Sequence, residues 1–121
     1  SPDWRIEGMA RFDAFAEARD PAIVSKLLSL GRTTTIDRLG DLEAAVAAGN
    51  SDQIRFSTHM IKGASGTIFA TRLAELAAEI EQASTDIELV RAKFPAFRAC
   101  VTETLEWWSE LEKRLPNKDP Q

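Results

Sequence analysis

A single cysteine, Cys100, and a single histidine, His59, are all the chain offers of the residue types most used for cross-links and metal ligation. One thiol cannot close an internal disulfide or build a thiolate cluster, and it fits a reducing compartment, so a cytoplasmic location is expected. One histidine without a Glu-x-x-His pair cannot equip a helical bundle to hold metal, and no metal site is expected. The P-loop, the dinucleotide-binding glycine fingerprint and the nucleophile elbow are all missing. No apolar run is long enough to cross a bilayer, and no charged-then-apolar leader precedes a cleavage site. A chain soluble as given, without membrane insertion, is expected. The start at Ser1-Pro2 leaves its place within any longer protein open. Strand signals are also scarce: there is no sustained alternation and no Asn-Gly or Asp-Gly hairpin turn.

What remains is helix. The 121 residues suffice for one domain, 1–121, with a core of about 9–115 and a flexible tail over 116–121. A net charge of −4 argues against nucleic acid as a partner. The distribution is more telling than the sum. From Gln53 to Ala74 no acid occurs, while Arg55, Lys62 and Arg72 give +3, so the remainder of the chain carries −7. A basic segment on an acidic protein points to a local anionic partner, and this segment contains the histidine.

A short helix is predicted over Met9–Ala18, with Met9, Phe12 and Phe15 or Ala16 on one side. Asp20-Pro21 reads as cap and first residue of a long helix to Ala48, with Ile23 or Val24, Leu27, Leu30, Leu39, Leu42 and Val46 inward. Gly31, Thr33–Thr35 and Gly40 weaken its middle, and Gly49 ends it. The next helix is expected over Asp52–Phe69, then one over Arg72–Ala83 capped by Thr71, with Leu73, Leu76, Ala77 and Ile80 as its apolar stripe. A last helix runs from an Asp86 cap to Leu115 along the seam Phe94, Phe97, Val101, Thr104, Trp108, Leu111 and Leu115. Pro95 should kink or split it. Trp107 and Trp108 read as packing residues rather than a ligand cage. Short connections favour an all-α, antiparallel up-down four-helix bundle with a short additional N-terminal helix.

The informative stretch is His59-Met60-Ile61-Lys62-Gly63-Ala64-Ser65-Gly66. At about 100° per residue, Ile54, Ser57, Ile61, Ala64 and Ile68 share the core side. His59 lies opposite, among Arg55, Phe56, Lys62, Gly63 and Gly66. Glycines inside a helix each cost about 1 kcal/mol relative to alanine. Placed on the histidine's own face, they strip away side chains and leave the ring open to a bulky partner. Lys62, at i+3, is close enough to neutralise a phosphoryl dianion on the ring. Phe56 is read as an exposed docking contact. Ser65 falls on another side of the helix, which excludes a local nucleophile–base pair with His59.

The spacing His59-x-x-Lys62-Gly63 resembles the motif of histidine-containing phosphotransfer domains. Asp20-Pro21, Ala47-Ala48-Gly49-Asn50 and Ala70-Thr71-Arg72-Leu73-Ala74-Glu75-Leu76 resemble the family's flanking segments. The resemblance implies a monomeric phosphocarrier that is no kinase and hydrolyses no ATP. It would accept a phosphoryl group on His59 from a receiver-domain aspartate and pass it to another. The partners implied are receiver domains of response regulators or hybrid histidine kinases. No cofactor is implied on this chain, since Mg²⁺ belongs to the receiver. Glu81 lies where many members carry a residue that hydrogen-bonds the ring. It would hold Nδ1–H and leave Nε2 to attack, although a plain solvated carboxylate is an equal alternative. Phe69 occupies a site where the family has a small residue, commonly glycine, so a repacked turn is expected. Two further readings stay open: the phosphoacceptor domain of a larger chemotaxis-type or hybrid kinase, and a helical adaptor that binds receivers without transfer.

Overall fold

The structure, a computed structural model, describes residues 3–116. Among these it is all helix: α1 (Trp4–Glu17), α2 (Pro21–Ala48), α3 (Ser51–Thr67), α4 (Thr71–Gln82) and α5 (Ile87–Lys113). The ends follow local chemistry. Asp3, Asp20, Asn50 and Asp86 each accept a first-turn backbone N–H, and Pro21 enters α2 with φ already set. Gly49 closes α2 in the left-handed conformation, φ 67°.

Several sequence-derived boundaries need correction. The first helix begins at Trp4 rather than Met9, because Asp3 caps it one turn earlier. Thr71 is no cap but the first residue of α4; Ala70 stands before it with no side-chain bond. α3 stops at Thr67 because Phe69 turns to φ 60° and cannot continue the helix. α5 stops at Lys113, and it is not split at Pro95, which sits exposed while Phe94 and Phe97 stack beside it. Of the tail expected over 116–121, all but Pro116 lies outside the described residues.

Helices α2 to α5 pack in sequence order, and α5 returns to α2. Their contacts run in opposite directions along neighbours. Ser25 and Arg32 bond to Glu112 and Ser109, whereas Glu43 and Val46 bond to Arg98 and Arg91. On the opposite side, Lys93 of α5 pairs with Glu79 of α4. α1 runs the other way, parallel to α5, since Arg5 meets Glu103 and Asp13 meets Arg114.

The core includes Phe12, Leu28, Leu42, Ile61, Ile80, Phe97 and Trp108, each at most 1% exposed. Each such side chain contributes about 1.5–3 kcal/mol by leaving water. The stripes expected on α4 and at the centre of α5 are buried, Leu73, Leu76, Ala77 and Ile80 in the first and Phe97 to Leu111 in the second. On α2, Val24, Leu42 and Val46 are buried as expected, but around Leu27 and Leu30 the inward face is rotated by one position. Leu28, Gly31 and Thr35 are buried, while Ile23 and Leu30 are exposed and Leu27 and Leu39 only half-buried. Gly31 explains the rotation. A Cβ there would lie 2.5 Å from Ile68 Cδ1, so the glycine is a notch for Ile68 rather than a weak point.

The α3–α4 turn gathers contacts from every other helix. Trp108 of α5 donates its indole N–H to the Ile68 carbonyl, and Ile68 fills the Gly31 notch of α2. From α1, Phe15 meets the Phe69 ring edge-on at 5.6 Å and Arg11 lies over it at 5.1 Å. Gly8 of α1 lets the Phe69 carbonyl approach to 2.9 Å of where a Cβ would stand. The turn expected to be repacked is therefore clamped, and the clamp sets the register of α4 against α3.

Candidate functional site

That register brings Glu81 of α4 beside the exposed face of α3. Alanines at 70, 74 and 77 keep the approach close, Ala70 and Ala77 being fully buried. The His59 side chain is 63% exposed, and its Nδ1 lies 3.0 Å from Glu81 Oε2. Lys62, one turn along, donates from Nζ to the other oxygen, Oε1, at 2.8 Å. Among the described residues nothing hydrogen-bonds Nε2. A carboxylate can only accept, so beside ionised Glu81 the hydrogen of the neutral ring sits on Nδ1 and the lone pair on Nε2.

Glu81 is ionised with ease. The Lys62 ammonium foremost, with the His59 ring adding to it, holds its carboxyl below the ordinary range against the opposing pull of burial. The group is only 19% exposed, and both its oxygens are engaged. Of the alternatives left open for Glu81, the freely solvated carboxylate is not what the structure has.

Gly63 and Gly66 are exposed, and a Cβ on either would meet nothing within 4 Å. They are not there for helix packing. Gly63 borders an apolar groove of about 290 Å³ beside His59, with Met60, Ala64 and Thr67 from α3 and Leu27, Leu30 and Thr34 from α2. Phe56 is 47% exposed on the same helix, with the Arg38 guanidinium 5.0 Å from its ring centroid. Sequence reasoning missed Leu27, Leu30 and Arg38 here. The leucines fit the core pattern, and only the rotation of α2 turns them outward.

The three cations of the acid-free segment do not form a bare positive patch. Arg55 pairs with Asp52, Lys62 with Glu81 and Arg72 with Glu75, every acid coming from outside the segment. Arg72 is not brought to the histidine. It lies nine residues from Glu81, about half a revolution round α4.

The Hpt domain family model matches residues 26–107. Among solved structures, histidine-containing phosphotransfer protein B (HptB) from Pseudomonas aeruginosa PAO1 is similar in fold, with a TM-score of 0.74 and 22% identity over 91% of this chain and 94% of that one. No curated protein matches at a significant level. No helix among the described residues is long and apolar enough to cross a membrane.

Proposed function

Because the chain belongs to the Hpt domain family, with its histidine phosphotransfer role in phosphorelays, we propose that His59 is the phosphoacceptor between two receiver aspartates. The observation that carries this reading is the Nδ1–Glu81 contact at 3.0 Å on an otherwise exposed ring. In the forward step the Nε2 lone pair attacks the phosphorus of an aspartyl phosphate. The N–P bond forms, the P–O bond to the aspartate breaks, and the carboxylate leaves with that electron pair. The hydrogen on Nδ1 stays in place. Positive charge develops on the ring, and Glu81 stabilises it from the far side.

Lys62 supports the same step by countering negative charge on the moving group. The open surface over Gly63 and Gly66, with the groove along Leu27 and Leu30, supports docking of a whole receiver domain. Mg²⁺ belongs on that receiver. The chain itself is a carrier that neither hydrolyses ATP nor acts as a kinase.

Incubation with phosphorylated receivers tests the proposal. Label should pass to the chain, be lost in acid as expected of a phosphoramidate, and be absent from a folded His59→Gln variant. Undiminished labelling of that variant rejects His59 as the acceptor. Receiver binding without any labelling of the parent favours an adaptor.

A further inference from the structure

We propose that Lys62 changes partners during transfer: Glu81 holds its ammonium at rest, and the phosphoryl group arriving on His59 draws it away, leaving the carboxylate to the ring. The inference rests on the reading of His59 as the phosphoacceptor. Its starting point is that one carboxylate serves two donors, Oε2 facing His59 Nδ1 at 3.0 Å and Oε1 facing Lys62 Nζ at 2.8 Å. The ammonium is therefore bound through a single bridging group to the ring that would carry the phosphoryl.

Charge decides which partner Lys62 prefers in each state. A phosphoryl group on the ring approaches two negative charges, against one on Glu81, and attracts a cation about twice as strongly at equal distance. Were Lys62 to stay on Glu81, the dianion would sit near a carboxylate with no cation between them. Were Glu81 to leave with Lys62, the ring would lose the acceptor that keeps its hydrogen on Nδ1. Exchange of Lys62 alone avoids both costs.

The side chain is built for the move. Lysine is a compact charge on a flexible stem, and Lys62 is 39% exposed at the rim of the site rather than sealed in it. His59 and Lys62 share a face one turn apart, so a small swing of the stem spans the two positions. Arg55, on the other side of His59 along α3, is already paired with Asp52. The competing account is a static brace, in which Lys62 only ties α3 to α4.

Phosphorus and carbon NMR separate the two. The chain is loaded at His59 with the small-molecule donor phosphoramidate, which needs no receiver, in the parent and in Lys62→Met and Lys62→Arg. In the loaded chain, Lys62→Met should raise the titration midpoint of the phosphoryl group by about half a pH unit, and Lys62→Arg should restore most of it. In the resting chain, Lys62→Met should move the Glu81 carboxyl titration up toward 4.5. The parent's own Lys62 Nζ resonance should shift on loading, a readout that needs no substitution. Equal phosphoryl midpoints in parent and Lys62→Met, with Nζ unmoved, make Lys62 a static brace and overturn the exchange. A resting Glu81 indifferent to Lys62→Met overturns it too. Absence of any phosphoryl signal on His59 rejects the function beneath it, a result distinct from either.

Discussion

The indole N–H of Trp108 donates to the carbonyl of Ile68 at 3.2 Å, joining α5 to the α3–α4 turn across a separation of 40 residues. A helix end leaves carbonyls without partners, and this buried one is satisfied by a side chain from the far end of the chain. The bond, the Gly31 notch and the α1 contacts together hold Phe69 at φ 60°. Together with the buried stripe of α4, that clamp fixes the register that brings Glu81 to His59.

Phe69 should therefore respond to substitution in an unusual order. A side chain in the left-handed region costs about 1–2 kcal/mol, which glycine escapes. Phe69→Ala keeps that cost and loses the contacts with Phe15 and Arg11, so it should destabilise the fold. Phe69→Gly loses the same contacts but relieves the backbone, and should be the more stable of the two by about 1 kcal/mol. Urea unfolding of both variants checks this; alanine equal to or above glycine would place Phe69 outside the left-handed region.

Glycines should divide by what surrounds them. A Cβ on Gly8 would lie 2.7 Å from the Trp107 ring and 2.9 Å from the Phe69 carbonyl, neither of which can yield easily. Gly8→Ala should cost about 1–3 kcal/mol. Gly31→Ala should cost less, because the terminal methyl of Ile68 can turn aside.

Gly63→Ala and Gly66→Ala should instead stabilise the bundle by about 0.5–1 kcal/mol, since helix propensity improves in open space. A bulkier Gly63→Leu should also stay folded while receiver transfer slows at least tenfold in single-turnover assays. Unfolding of Gly63→Leu would contradict the open surface over the site.

Acid should report on Glu81. A carboxyl whose folded value is depressed adds stability that is fully present above its ordinary value of 4.5 and disappears as pH falls through the lower, folded value. The difference in thermal midpoint between the parent and Glu81→Gln should hold steady from neutrality to about pH 5, then shrink on further acidification. Growth of that difference in acid would reverse the sign and contradict the pairing with Lys62.

Cations of the acid-free segment should prove unequal. Arg72 pairs with Glu75 on the far side of α4, so Arg72→Ala should leave transfer rate and receiver affinity within about twofold of the parent. Lys62→Ala should lower the transfer plateau even at saturating receiver, because it removes charge next to the reacting group. Arg55→Ala should alter apparent affinity alone. Single-turnover transfer measured against receiver concentration distinguishes the three.

Local chemistry on the chain was enough to specify the helices, most of their caps, the solvent-facing position of His59 and the Lys62-Gly63 surroundings. Each of these depends on residues within a turn or two of one another, where spacing and side-chain type act directly. The resemblance singled out Glu81 as a partner of Nδ1 and Phe69 as a departure at the turn, and the structure has the Glu81 contact at 3.0 Å. What tertiary structure alone decided is which of two adjacent apolar stripes on α2 faces inward. Ile23, Leu27 and Leu30 are as apolar as Val24 and Leu28, and the choice falls to Gly31, which must admit Ile68. The same packing exposes Leu30 beside His59, pairs Lys62 of α3 with Glu81 of α4, and turns Arg72 away. It also joins Lys62 and His59 through one carboxylate, a relation that depends on how far α4 slides along α3, which the clamped turn and the buried stripe of α4 fix together.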